Sequence, residues 1–122
     1  MSLIRNPIVM NLFLDQQYAG ELPCPPDYTV QVGREENGEV LKLDYNFSVK
    51  QAAQVFFKAY GCVELYASAE FYCRLLHGKT RTQVLKIALQ DALLELNLPK
   101  TKLHIQTLLV TAHEKFTKEY LC

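Results

Sequence analysis

Apolar and polar residues alternate with period two along two stretches in the first half of the chain. Tyr28, Val30 and Val32 alternate with Thr29, Gln31 and Gly33. After a break, Leu41, Leu43, Tyr45, Phe47 and Val49 alternate with Lys42, Asp44, Asn46 and Ser48. Successive strand side chains point to opposite faces, so each run predicts a half-buried strand with one wet face. Asn37-Gly38 lies between the runs. Both residue types accept positive φ, so the dipeptide predicts a hairpin. Residues 55–60 are short, aromatic and almost continuously apolar, and predict a third strand.

Beyond Gly61 the pattern turns helical. Residues 63–77 contain no Gly or Pro, and Gly78 suits a C-terminal cap. Thr80 and Gln83 have the spacing of a capping box for the next helix. Residues 90–96 predict a short helix stopped by Asn97 and Pro99. The last helix is predicted over residues 102–120, with Ile105, Leu109, Ala112, Phe116 and Tyr120 as its apolar stripe. Upstream, residues 6–17 predict a short helix with Pro7 in its first turn, followed by a Pro-rich connector over residues 20–27. Strands first and helices second is the signature of an α+β fold, here a three-stranded antiparallel sheet with helices packed on one face.

Composition narrows the function classes. The 122 residues, 49% hydrophobic and 21% charged, suit one globular domain over residues 1–122. Thirteen basic and thirteen acidic side chains cancel, which leaves no electrostatic case for nucleic acid or an anionic membrane as partner. No apolar run approaches the roughly 20 residues of a membrane helix. Arg5 and the apolar stretch 8–14, interrupted by Asn11, lack the core and cleavage site of a signal peptide. The expectation is a mature protein of the cytoplasm. Cys24, Cys62, Cys73 and Cys122 form no CxxC pair, and their scatter does not suggest a disulfide framework. Cys73 is expected in the core, Cys122 at a frayed end, and Cys24 in the rigid surface loop Leu22-Pro23-Cys24-Pro25-Pro26.

Three loops carry candidate chemistry. Cys62 follows a strand and Gly61 and opens a helix. It is either a small buried residue in a tight turn or a thiol that unpaired backbone N–H groups favour as thiolate. His104 is either an ordinary, partly exposed histidine or a ligand. Glu35, Glu36 and Glu39 are either a solvated charge cluster or a source of carboxylate ligands. His77 and His113 are assigned to solvated helix surfaces. No nucleophile–base–orienter set and no phosphate-binding glycine loop are visible. Seven Tyr and six Phe occupy strand and helix core positions and do not interleave with basic residues as on a nucleic-acid surface.

These loops are where the sequence resembles the NifU/IscU-type scaffold on which iron–sulfur clusters are assembled. Val32-Gly33-Arg34-Glu35-Glu36-Asn37-Gly38-Glu39 stands where that family has Val-Gly-x-Pro-x-Cys-Gly-Asp. Phe57-Lys58-Ala59-Tyr60-Gly61-Cys62-Val63 stands at the family's Phe-Lys-x-Tyr/Phe-Gly-Cys-Gly, followed by Ala67-Ser68-Ala69 and Gly78-Lys79. Leu98-Pro99-Lys100-Thr101-Lys102-Leu103-His104-Ile105 matches Leu-Pro-x-x-Lys-x-His-Cys, and Gly20-Glu21-Leu22 resembles the Gly-x-Leu turn. The resemblance implies a scaffold, not an enzyme, with a metal site at Glu39, Cys62 and His104. Asn37 and Ile105 replace two family cysteines, Glu39 an aspartate and Val63 a glycine. The set then suits a single zinc or iron ion better than a stable cluster, unless Cys24 folds in or a partner chain adds ligands. The implied partners are a cysteine desulfurase or other cluster-assembly proteins. The alternative is an interaction protein that keeps the fold and docks such a partner without metal.

Overall fold

The computed structural model describes residues 6–47 and 52–121. Arg5, Ser48, Val49 and Cys122, on which expectations were placed, lie outside the described residues. The three predicted strands are present as β1 (Tyr28–Arg34), β2 (Glu39–Asn46) and β3 (Gln54–Tyr60), paired antiparallel in the order β1-β2-β3. Their register sets Val30 opposite Leu43 and Leu43 opposite Phe57, so the apolar residues of all three strands share one face. On that face lie α1 (Pro7–Leu14), α2 (Val63–Leu76), α3 (Arg81–Leu85), α4 (Leu89–Leu93) and α5 (His104–Phe116). Helix α2 packs on β3 and on α1, while α5 packs on β1 and α2. The architecture is the expected α+β arrangement.

Local chemistry explains the helix ends. Asn6 caps α1 by accepting from the Ile8 amide, with Pro7 in the first turn. Thr80 and Gln83 form the expected capping box at α3. Gly78 takes φ +81° just past α2, the left-handed conformation that suits a terminating glycine. The last helix begins with a 3₁₀ turn at Lys100–Lys102, runs as α5 and ends in a π turn at Thr117–Leu121. Four of the five stripe residues, Ile105, Leu109, Ala112 and Phe116, are fully enclosed as predicted, while Tyr120 is only partly buried. The Phe116 ring stacks on Tyr45 at 3.7 Å between centroids. Cys73 is fully buried, as expected.

Three readings need correction. His113 is not on a solvated surface: it is 8% exposed, with Nδ1 2.8 Å from the Tyr72 hydroxyl, which in turn lies 2.7 Å from that of Tyr45. It lies three residues before Phe116 and four after Leu109, on the flank of the buried stripe. His77 is exposed, as read. The second correction concerns the wet face of β2. Asp44 and Asn46 are buried, because the Pro-rich connector folds back over them. Asn46 donates to the Pro25 carbonyl at 2.9 Å, Thr29 donates to Asp44 at 2.7 Å, and Asp27 accepts from the Phe47 amide at 2.9 Å. The third concerns only the turn of the hairpin, which itself lies where expected. Only Gly38 of the Asn37-Gly38 pair takes positive φ, at +76°. Glu35–Asn37 form a 3₁₀ turn that Gly38 closes by donating to the Glu35 carbonyl.

A single β-bridge after α1 was not expected. Ala19 bridges Phe57 in parallel, with Gly20 donating to the Phe57 carbonyl and Phe57 to that of Tyr18. This covers part of the β3 edge, which would otherwise present unpaired backbone groups. The segment is held by Glu70 on α2, a fully buried carboxylate. One of its oxygens accepts from the Gln17 and Tyr18 amides and the other from Arg74 at 2.6 Å.

Candidate functional site

Two glycines bring the β1–β2 hairpin against the end of β3. Gly33 sits at φ +90°, and a Cβ there would lie 2.3 Å from the Glu39 carbonyl oxygen. Gly61 sits at φ +155°, where a Cβ would meet the Gly38 carbonyl oxygen at 3.2 Å and Glu39 Cγ at 3.3 Å. Such backbone approach is open only to glycine. The next residue, Cys62, caps the N-terminus of α2 with its backbone carbonyl, while its side chain makes no cap hydrogen bond. The thiol is therefore free to turn toward Glu39.

His104 reaches the same place from the other side. Leu98 anchors the preceding loop in the core, and Pro99 starts the 3₁₀ turn that leads into α5. Ile105 points inward and is fully buried, while its neighbour His104, about 100° further round the helix, faces the hairpin with half its side chain exposed.

The three meet on one carboxylate. Glu39 Oε2 accepts from Cys62 Sγ at 3.6 Å, and Oε1 lies 2.6 Å from His104 Nε2. A carboxylate can only accept, so Nε2 carries the hydrogen in this arrangement. Glu39 is mostly buried, with 16% of its side chain exposed. Glu35 and Glu36 stay on the solvated side of the loop. Among the described residues no three His, Cys, Asp or Glu side chains form a ready-made metal-ligand group. Both Glu39 oxygens are engaged, so the trio closes on itself instead of opening toward a shared point. Asn37 is exposed on the hairpin, and Ile105 is committed to the core.

Cys24 does not join this site. Its thiol points toward Gln54 Oε1 at 3.8 Å, at the start of β3, whereas Cys62 follows the end of that strand. Seven residues of strand separate the two by roughly 20 Å. Sequence periodicity could not have joined Glu39, Cys62 and His104, since the juxtaposition depends on the register of the hairpin and the closeness that Gly61 allows. Also missed was the Tyr45–Tyr72–His113 chain, for which the flank position of His113 was the available signal.

Comparison with known proteins identifies the family. The family model described as the NifU-like N terminal domain matches residues 5–121. The iron–sulfur cluster assembly protein IscU of Plasmodium falciparum is 33% identical over 89 residues, covering 73% of this chain and 55% of that protein. The mitochondrial iron sulfur cluster assembly protein 1 of Kluyveromyces lactis is 30% identical over 119 residues, covering 94% of this chain and 66% of its own. The chain thus spans between about half and two thirds of the length of these relatives. The crystal structure of an N-terminal NifU-like protein from Brucella abortus has a TM-score of 0.56 at 15% identity. That match covers 95% of this chain and 84% of the other, and it bears on the fold. With the match running through all three strands, all five helices and the loops that carry Glu39, Cys62 and His104, this chain belongs to the NifU-like N-terminal domain family.

Proposed function

We propose that the chain is a scaffold-type protein of iron–sulfur cluster assembly, not a turnover catalyst, whose site handles sulfur or a single zinc or iron ion in place of a stable two-iron cluster. The observation that carries this reading is the meeting of Cys62 and His104 on the Glu39 carboxylate. The names of the relatives support the process. The donor chemistry supports the restriction. One thiol, one imidazole and one carboxylate suit a single ion with an open position. A two-iron cluster is usually held by four ligands, mostly thiolate. Here Asn37 offers a neutral amide and the buried Ile105 offers nothing. An incoming ion has to displace the hydrogen bonds that Glu39 makes, so occupancy requires its carboxylate to swing away from one partner.

Cys62 is the family cysteine left to accept sulfur. Its sulfur would attack the outer sulfur of a persulfide on a cysteine desulfurase. The desulfurase cysteine leaves as thiolate, and Cys62 keeps the transferred sulfur. The three described cysteines are all free, which fits a reducing compartment such as the cytoplasm.

The test is metal analysis of protein purified without added iron, followed by anaerobic reconstitution with iron and sulfide. The expected result is at most one ion per chain, lost on Cys62→Ser, with no lasting sulfide-to-iron absorbance. Asn37→Cys together with Ile105→Cys should bring that absorbance back. A stable, stoichiometric cluster on the unaltered monomer overturns the reading.

A second reading is favoured by the closed hydrogen bonding of the trio: an interaction protein that docks a desulfurase and binds no metal. It predicts metal-free protein whose desulfurase affinity is unchanged by Cys62→Ser.

A further inference from the structure

The face of the sheet turned away from the helices is crossed by the Pro-rich connector. The connector runs as an arch and leaves a cavity of about 410 Å³ beneath it. Thr29 on β1, Lys42 and Asp44 on β2, and Lys58 on β3 line the sheet side, while Leu22 and Pro23 belong to the arch. Its stiffness and the charge beneath it separate this space from an ordinary gap under a loop.

The arch is pinned at both ends. At one, Gly20 donates to the Phe57 carbonyl on β3. At the other, Asp27 donates to the Tyr45 carbonyl, and the Asn46 amide donates to that of Pro25. Proline fixes φ, so the span between the two ends is stiff. The cavity is therefore formed before any ligand arrives, as binding sites usually are.

Inside it, charge is left open. Asp44 is 8% exposed, yet the one hydrogen bond of its side chain among the described residues comes from the Thr29 hydroxyl to Oδ1, at 2.7 Å. A carboxylate this buried is normally paired with a cation. Here Oδ2 has no partner among the described residues, and none of their cationic groups lies at ion-pair distance from Asp44. Lys42, two residues earlier on the same face of β2, makes no ion pair among them either. Lys58 is taken. It bonds Glu21 at 2.6 Å and is the main cause of that carboxyl's lowered pKa, to which Lys42 adds little. One strand face thus offers an open anion and an open cation side by side, under an apolar roof. Their complement is a molecule with an ammonium and a carboxylate close together and a small apolar side chain.

The structure assigns the space under the connector as a binding site for a free α-amino acid. The ligand ammonium donates to Asp44 Oδ2, its carboxylate accepts from Lys42, and its side chain lies against Leu22 and Pro23. A simple amine or a simple carboxylate answers one charge and leaves the other open, so the site prefers the zwitterion to both.

The experiment titrates the full chain with L-valine, with isobutylamine, which lacks the carboxylate, and with isovalerate, which lacks the ammonium. NMR follows the amides of Thr29, Lys42 and Asp44, with those of Glu39, Cys62 and His104 as controls. Saturable shifts confined to the first set are expected with valine, and binding at least about tenfold weaker with the other two. Lys42→Gln and Asp44→Asn, the second of which keeps an acceptor for Thr29, should each weaken valine by about tenfold. If the spectrum of the Asp44 variant shows that it does not fold, Lys42→Gln decides alone. Absence of saturation by valine up to about 20 mM overturns the proposal. So does equal binding of isobutylamine or isovalerate, or unchanged valine affinity in either folded variant. None of these outcomes touches the cluster-assembly reading, because the cavity shares no residue with Glu39, Cys62 or His104.

Discussion

Glu70, together with Arg74, fixes the path from α1 to the sheet. It is fully enclosed yet charged, with two backbone amides and Arg74 as partners. Replacing it by alanine leaves those amides without acceptors in a dry site, and should cost about 3 kcal/mol in a urea titration. Its neighbour Ser68 is the opposite case, since its buried hydroxyl has no hydrogen-bond partner among the described residues. Ser68→Ala should be neutral or stabilising by up to about 1 kcal/mol, because alanine also favours the helix. His113 supplies a pH dependence. Burial lowers its folded-state pKa below 6.5, with the Glu114 charge acting weakly the other way and Tyr72 the neutral partner within the core. The unfolded chain therefore binds the proton first. Its contribution is fully present above about pH 6.5 and is lost as pH falls below that value toward the folded-state pKa. His113→Gln should flatten that part of a stability–pH curve, and an unchanged curve would remove the assignment. At this scale the sequence was readable where a residue sits in the middle of a stripe, as Cys73 and Ile105 do. It misled where a polar residue sits on the flank, because burial there is decided by the neighbouring helix and not by the residue itself.

Elements follow the same rule. Period-two runs and caps are local, so strands, helix ends and the position of the hairpin could be read directly. The connector over Asp44 and Asn46 and the bridge from Ala19 to Phe57 could not, since both depend on segments far apart in the chain meeting across the sheet. The hairpin offers a direct contrast between two glycines. A Cβ on Gly33 overlaps the Glu39 carbonyl at 2.3 Å, whereas one on Gly38 meets nothing within 4 Å. Gly38→Val should therefore cost only the left-handed backbone penalty, about 1–2 kcal/mol. Gly33→Ala has to move the strand as well. It should cost more than Gly38→Val and should also break the Glu39–His104 contact, visible as loss of the His104 Nε2 proton coupling to Glu39 in NMR. Equal costs at the two positions would mean that the hairpin yields more easily than its geometry implies.

For the molecule as a whole, the candidate site is assembled from residues 39, 62 and 104, and only family resemblance tied them together beforehand. Strand length makes a prediction there. Because Cys24 sits beside Gln54 at the opposite end of β3, Cys24→Ala should leave zinc or iron content unchanged while Cys62→Ser removes it. Metal loss in the Cys24 variant would require the connector to rearrange. The long-range bonds of the N-terminal third have another consequence, for the order in which the protein is made. Asn6 donates to the Leu96 carbonyl, the Tyr18 amide to Glu70 and the Tyr28 hydroxyl to Glu119. At a translation rate of roughly 5–20 residues per second, each of these groups leaves the ribosome several seconds before its partner exists. Val9, Leu12, Val30 and Val32, all core residues, are then held by a nascent chain that cannot yet cover them. For that interval the emerging polypeptide is open to proteases and to neighbouring nascent chains, and the exposure ends only when α5 has cleared the exit tunnel.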